Sequence, residues 1–495
     1  MEDTIITQRA AKAEALRARG QNPFANDFPV TDLARDVHAR FADASIEALD
    51  ALGAEVTFAG RVMAVRSFGK AIFLVVEDRT ERLQANVFRN ELPEADWALL
   101  ELLDVGDIIG VFGTVMRTRK GELSVKARGL RILTKALRPL PEKWHGLTDV
   151  AVRYRQRYLD LVVNPEVREA FRTRSRIVSF IRRFFEERDY LEVETPILQP
   201  IYGGAAAKPF TTHHNTLDMK LYLRVAPELN LKRLVVGGLH RVFELNRCFR
   251  NEGVSTRHNP EFTMLEFYQA FATYEDLMVL TEALFRGIAE HVVGSTSVTY
   301  GEQVIDFAQP FRRLSIYDGL AEAGVPRDQV TDHAAVLAVA QGLGVKGAED
   351  LSLGYLQMAV FEAYHEPRMF QPTFVIDFPA EVSPLSRKKD ADPTLVDRFE
   401  LYVAGRECAN AFSELNDPVD QRSRFEQQVE RRAGGDMEAH PMDEDYVRAL
   451  EFGLPPTAGE GIGIDRLVML FTNSASIRDV IFFPLMRPDA ARPEG

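Results

Sequence analysis

Between Glu55 and Leu133 the chain runs as five short stretches of alternating or near-continuous apolar residues: EVTFAGRVMAVRSF, AIFLVVED, RLQANVF, DIIGVFGTVMRT and GELSVKARGLRIL. Turn-forming residues separate them. A period of two gives each stretch one face for a core and one for solvent, so all five read as β-strands. A helix is expected between the third and fourth, around Trp97 to Leu103.

Five strands within about 100 residues, with a helix after the third, fit an OB-fold β-barrel. Such barrels often bind single-stranded nucleic acid, stacking bases on aromatic side chains and tracking the backbone with cations. The barrel is placed at residues 55–138, behind an N-terminal helical extension over 1–54. Pro139 and Pro141 mark a linker, after which long helices and mixed strands predict a larger α+β domain over 139–495. Helical segments poor in motifs look like an insertion at about 315–365. A chain of 495 residues is too long for one ordinary core, in keeping with two or three domains.

The 46% hydrophobic fraction supports a well-buried protein, yet no apolar run is long enough to cross a bilayer and the first residues lack a secretory signal. A soluble, cytoplasmic protein with no membrane partner is expected. Cys248 and Cys408 are the only cysteines, too few and too far apart for a zinc cluster or a disulfide framework. The net charge of −13 speaks weakly against nucleic acid, but twelve Lys or Arg residues from Arg117 to Arg157 face only Glu122, Glu142 and Asp149. That local excess reads either as a solvated basic face or as a phosphate-binding stripe.

Neither a GxxxxGK[ST] loop nor a Rossmann GxGxxG is present, so an ATP site must be built another way. Three segments carry chemistry. In FRNEG, Phe249 to Gly253, and HNPEFTMLEFY, His258 to Tyr268, extended chain puts Arg250 with Glu252 and aligns Phe262, Met264, Glu266 and Tyr268 on one face. In RFELYVAGRECANAFSELND, a two-residue turn at Ala404-Gly405 would set Glu400 and Glu407 within reach of one cation. Asn410 and Glu414 share a parity that Glu407 breaks, so one pocket for all of them requires a bulge near Ala409. In GEGIGIDRLVML, alternating glycines let the backbone approach a ligand, and a helix expected from Asp465 brings its positive end beside Arg466.

In this order the segments resemble the class II aminoacyl-tRNA synthetases. RDYLEVETPIL, Arg188 to Leu198, looks like motif 1, the dimer-interface motif with its proline at Pro196; FRNEG through HNPEF is similar to motif 2, and GIGIDRL to motif 3. A barrel ahead of the catalytic part is the arrangement of the subclass with aspartyl, asparaginyl and lysyl members. RVAPELNLKRLVVGG, THHN and FSELND are similar to the lysyl enzymes. The resemblance implies a catalytic domain built on an antiparallel β-sheet flanked by helices, and a homodimer that uses ATP, L-lysine, Mg2+ and tRNA(Lys).

By matching position, the resemblance implies that Arg250 holds the α-phosphate, Phe262 stacks on adenine, Arg466 grips the terminal phosphate, and Glu252 and His258 complete the ATP site. Glu400 and Glu407 resemble magnesium carboxylates. Glu228 and the Gly204 backbone would meet the lysine α-amino end, with Glu266, Tyr268, Asn410 and Glu414 around the side chain. Glu414 stands where aspartyl relatives carry an arginine, an inversion that an ε-ammonium demands. A neutral competitor would leave that charge unsatisfied, so no editing domain is required. In the barrel, Phe73, Gln84 and Glu122 resemble anticodon contacts. ECANAF carries alanines and Glu460 an acid where relatives often have glycine and an apolar residue. A paralogue that attaches lysine to protein resembles the catalytic part but lacks the barrel. A non-catalytic RNA-binding relic should have lost some of these ligands, and all are present.

Overall fold

The computed structural model describes residues 2–141, 147–436 and 438–488, and Glu142 and Lys143 of the basic segment lie outside them. The chain divides into two compact units, Met1–Thr148 and Asp149–Gly495.

The first unit opens with helices Glu2–Ala18, Ala34–Phe41 and Ile46–Leu52. Strands β1 (Glu55–Phe68), β2 (Ala71–Glu77), β3 (Arg82–Phe88), β4 (Ile108–Arg117) and β5 (Leu123–Thr134) follow and close in the order β1-β2-β3-β5-β4. Alternation does what period two requires: Phe58, Val62, Leu74, Val76, Ala85, Val111 and Val125 fill the interior. Where strands cross most closely no side chain fits, since a Cβ on Gly113 would overlap the Lys126 carbonyl. The helix before β4 is Glu94–Leu99, three residues earlier than expected, because Leu102 and Leu103 pack into the core from the turn that follows it.

Part of the basic segment is engaged in holding the fold together. Lys135 is buried on Asp107 at 2.7 Å and on Asp104, and Arg117 donates to the carbonyls of Phe41, Ala42, Ala44 and Gly121. Arg128, Arg131 and Arg138 pair with Glu55, Asp27 and Glu2. Residues adjacent in sequence point to different faces of a strand, so a local charge excess is spread around the barrel.

In the second unit an eight-stranded sheet carries β6 (Leu191–Glu192), β10 (Arg241–Phe249), β11 (Glu261–Ala270), β14 (Arg312–Ser315), β15 (Thr373–Pro379), β16 (Leu395–Val403), β17 (Arg406–Ser413) and β18 (Thr457–Gly463). Two smaller sheets hold β7 (Leu198–Gln199), β8 (Thr211–His214) and β9 (Met219–Leu223), and β12 (Ser297–Tyr300) with β13 (Gln303–Asp306). The large sheet has the order β14-β15-β16-β17-β18-β11-β10-β6. Its interior pairs are antiparallel, but β14 with β15 and β10 with β6 are parallel, so the sheet is mixed rather than wholly antiparallel. A parallel pair needs a long crossover. The helices Ile316–Glu322, His333–Gly342 and Leu353–His365 supply it between β14 and β15 and close a core of their own around Leu320, Val336, Leu356 and Phe361.

One face of the sheet is covered by the helices Pro165–Glu186 and Tyr274–Ile288, against which Phe185, Phe243, Leu265, Phe267 and Phe285 pack. The other face carries the polar residues of the same strands. Among the described residues no helix is long and apolar enough to cross a membrane.

Lys135→Met removes the buried cation that bridges Asp107 and Asp104 while keeping the volume. The expected loss is about 3–5 kcal/mol, the cost of breaking a buried pair and stranding its partner; the first transition in urea, followed by circular dichroism, reads it.

Candidate active site

β10 and β11 pair in register from Arg241 with Gln269 to Phe249 with Glu261, so Met264, Glu266 and Tyr268 project together away from the helices. The strand ends at Phe249, which leaves both Arg250 and Glu252 in the connecting segment rather than on one extended strand. The loop is anchored at its base by the Arg250 amide on the Pro260 carbonyl, 2.9 Å, and folded by the Ser255 amide on the His258 carbonyl, 3.0 Å. Arg250 stacks its guanidinium 5.1 Å from the centroid of the Phe262 ring, and its buried Nε has no hydrogen-bond acceptor. A cation held over an aromatic plate with an idle donor is prepared for an anion.

The β16–β17 hairpin turns at Ala404 and Gly405, both at positive φ, 52° and 67°, as a two-residue turn of the primed type needs. The parity break expected near Ala409 is a bulge at Cys408: Leu401 pairs with Ala409, but Tyr402 pairs with Glu407. The extra residue brings Glu407 and Asn410 to the same wall. Arg398 ties this wall together, donating to Asn410 Oδ1 at 3.0 Å and Ser383 Oγ at 2.8 Å and pairing with Glu400. Burial, with the Glu407 charge adding to it and Arg398 opposing, pushes the Glu400 carboxyl up to about 7.

On β18 a Cβ at Gly459 would overlap both the Tyr268 ring and Glu414 Oε1. Beyond this strand the helix Ile464–Phe471 begins one residue before the expected Asp465. Asp465 accepts from Arg174 at 2.6 Å and from the Thr263 amide at 2.7 Å, which pins the helix start to β11. Arg466 then reaches across to the Glu407 carbonyl at 2.7 Å, its carboxylate at 3.2 Å and His258 Nε2 at 3.3 Å. Burial and the Arg466 guanidinium hold His258 below the ordinary imidazole range, so the ring stays neutral there.

These elements line a cleft that opens to solvent, about 1090 Å³ of space with its mouth included. Gly204, Glu228, Arg250, Glu252, His258, Phe262, Glu266, Tyr268, Glu407, Asn410 and Arg466 all line it. Glu400 and Glu414 do not line it: Glu400 pairs with Asn410 across the strands, and Glu414 lies buried behind Gly459 and Tyr268. One end of the cleft carries Arg250 and Arg466. The other carries Glu228 and Glu266 with Glu414 behind, all three raised by burial, Glu266 and Glu414 strongly so. Among the described residues no group of three or more His, Cys, Asp or Glu is placed to hold a metal.

The barrel residues belong to the first unit. Phe73 is half-buried and edge-on to the exposed Phe68 at 5.6 Å, so it is not a core residue. Gln84 pairs with Val75 on the same face and donates to Asn86 and Ser124, and Glu122 is exposed after the β4–β5 turn.

Sequence reasoning passed over Lys232, Arg398 and Arg174. Lys232 is fully buried and donates to Glu228 Oε1 at 2.6 Å, a contact that its spacing of four from Glu228 on one helix could have announced.

Residues 149–487 match the family model of tRNA synthetases class II (D, K and N), and residues 56–133 match that of the OB-fold nucleic acid binding domain. The chain belongs to the class II tRNA synthetases of the D, K and N group. Among its relatives, the lysine–tRNA ligase of Pseudomonas putida is 55% identical over 493 residues, covering 99% of this chain and 97% of that protein. The enzyme of the same name from Anaeromyxobacter sp. is 55% identical over 502 residues, with 98% of each chain covered. That of Carboxydothermus hydrogenoformans is 53% identical over 485 residues, again at 98% of each.

This synthetase has one acid its site does not use. Glu460 is buried, both its oxygens meet only the Thr281 hydroxyl at 2.7 Å, and burial raises its carboxyl well above 4.5. The unfolded chain can ionise it above about pH 4.5 while the folded one resists, so native stability falls as pH rises from there toward the folded-state value. Glu460→Leu should therefore melt higher than the parent, by a margin larger at pH 8 than at pH 5. Equal margins in thermal melts at the two pH values would count against a neutral Glu460.

Proposed function

We propose that this chain activates L-lysine with ATP to lysyl-adenylate and pyrophosphate, and then transfers lysine to the 3′ end of tRNA(Lys). The observation that carries the reading is the polarity of the cleft, with two arginines at one end and a carboxylate-rich pocket at the other.

In this reading Phe262 stacks on adenine, Arg250 holds the α-phosphate, and Arg466 takes the terminal phosphate with Glu252 and His258 completing the ATP site. Glu228 and the Gly204 backbone receive the α-ammonium, while Glu266, Tyr268, Asn410 and, from behind, Glu414 set the charge and shape of the side-chain pocket. The lysine carboxylate lies toward the α-phosphate, where it attacks in line as pyrophosphate leaves. The terminal ribose hydroxyl of tRNA then displaces AMP. The chain contributes position and charge neutralisation and needs no covalent nucleophile of its own.

Magnesium fits the hard oxygen donors Glu407 and Glu400, the charge of the first raising the cost of ionising the second across the hairpin. Two carboxylates are a usual protein share for this ion, and when bound it would supply positive charge to neutralise that of the phosphates. Phe73, Gln84 and Glu122 are proposed to meet the anticodon on the open face of the barrel. The exposed Leu191, Ile197 and Leu198 in the segment resembling motif 1, with Ile201 just beyond it, support a homodimer, and the cytoplasm is the proposed site of action.

Lysine-dependent ATP–pyrophosphate exchange tests the reading, run with each amino acid in turn. Exchange should depend on lysine alone, and Arg250→Ala should lower it by about a thousandfold or more, as loss of a transition-state cation does. Exchange driven by another amino acid, or retained without Arg250, would overturn the assignment.

A further inference from the structure

Lys232 has no access to solvent, and its ammonium is held from two sides. Glu228, one turn earlier on the helix Glu228–Val236, accepts from it at 2.6 Å, and Glu414, after β17, pairs with it through Oε2. Phe412, on the cleft wall, presents its ring 5.2 Å from the ammonium. Burial of Lys232 is outweighed by the two carboxylates, so it remains protonated. Around it stand other polar groups with nothing to bond: Glu414 Oε1, the Tyr446 hydroxyl and Nδ1 of His440 have no hydrogen-bond partner. The third carboxylate of the pocket, Glu266, receives only the Tyr268 hydroxyl at 3.4 Å.

The charges can be counted. Glu228, Glu266 and Glu414 supply three negative charges when ionised, and Lys232 supplies one positive. With all three ionised, two negative charges would be left over at buried positions, where an uncompensated ion costs several kcal/mol, and burial accordingly raises all three carboxyls. Free lysine brings two ammonium groups to that pocket, and its carboxylate points the other way.

We infer that Lys232 is a specificity-setting positioning residue for the lysine-activation step. Its buried ammonium, shared by Glu228 and Glu414, favours the charged form of both carboxylates and holds them in place, and thereby matches the pocket to a guest bearing two ammonium groups. This rests on the lysine reading above. Lys232 does not touch the reacting atoms; it acts through the two acids it holds.

Lys232→Met keeps the length and removes the charge. Without the cation the carboxylates facing it hold their protons to higher pH, namely Glu228 on its own helix and Glu414 after β17; Tyr446 and His440 on the remaining sides are uncharged near neutrality. In pyrophosphate exchange the variant should show a lysine KM raised about tenfold or more, while the KM for ATP moves less than about twofold. The rising limb of kcat/KM for lysine should shift to higher pH, and the preference for lysine over norleucine should fall by a similar factor. A folded variant that keeps the parental pH limb and the parental lysine-to-norleucine ratio would overturn the inference, and so would equal rises in the two KM values. Should Lys232→Met not fold, Lys232→Ala is assayed with propylammonium or 1-propanol: recovery with the cation alone supports the role, and no recovery refutes it. The parent enzyme, assayed beside them, separates the two levels. If it exchanges normally with lysine, a failure belongs to Lys232; if it does not use lysine, the functional reading falls and this inference with it.

Discussion

A carboxylate taken out of water must find a cation, find donors or give up its charge, and the polar face of the large sheet is arranged by that rule. Glu244 is met by Arg224 at 2.6 Å and by the Thr195 hydroxyl at 2.8 Å. Glu400 has Arg398 and the Tyr402 hydroxyl. Glu460, on the opposite face, has only Thr281 and is held neutral. Glu266 is different. It lies directly across from Glu244 on the neighbouring strand, burial and the Glu228 and Glu244 charges raise it against the weaker pull of Arg250 and Arg224, and among the described residues no cation forms an ion pair with it. A sheet that satisfies its other buried acids and leaves this one facing a cleft has a place for a cationic guest.

The backbone makes that place possible. Tyr268 and Glu414 both occupy the space over Gly459, so the glycine is needed for what its missing side chain leaves to others, and its φ plays no part. The bulge at Cys408 has a comparable effect on the adjoining strand. Without it Glu407 and Asn410 would fall on opposite faces, and the carboxylate beside Arg466 would be separated from the amide held by Arg398. Two local departures from a regular sheet thus fix the two ends of the cleft.

Much of this was legible in the residues, and what was not shares a cause. Parity along HNPEFTMLEFY gave the shared face of Met264, Glu266 and Tyr268, and the conflict between Glu407 and Asn410 called for a bulge within one residue of where it lies. Those are rules about one strand or one hairpin. The basic segment from Arg117 to Arg157 misled because charge was summed along the sequence, while Lys135 and Arg157 are both buried against aspartates. Glu414 was read as an open contact for a guest because Lys232, 182 positions earlier, could not be seen to reach it. Partners across long separations follow from topology, and a local pattern does not contain them.

The same electrostatics account for how a small zwitterion would be oriented. His258 is kept neutral beside Arg466, so the guanidinium meets an uncharged ring and keeps its charge for an anion, apart from what Glu407 takes. Arg250 lies over Phe262 with an idle Nε. Along the cleft the potential therefore changes sign, positive at the loop between β10 and β11 and negative at the helix that begins with Glu228. An amino acid with a second ammonium on its side chain is drawn by both amines toward the acids, which leaves its carboxylate directed at the arginines and at any phosphate they hold. Orientation of that kind converts a bimolecular encounter into a reaction between neighbours, and effective molarities for such positioning reach about 10⁵ M or more. The selectivity of the pocket and the alignment of the nucleophile are then consequences of one charge gradient.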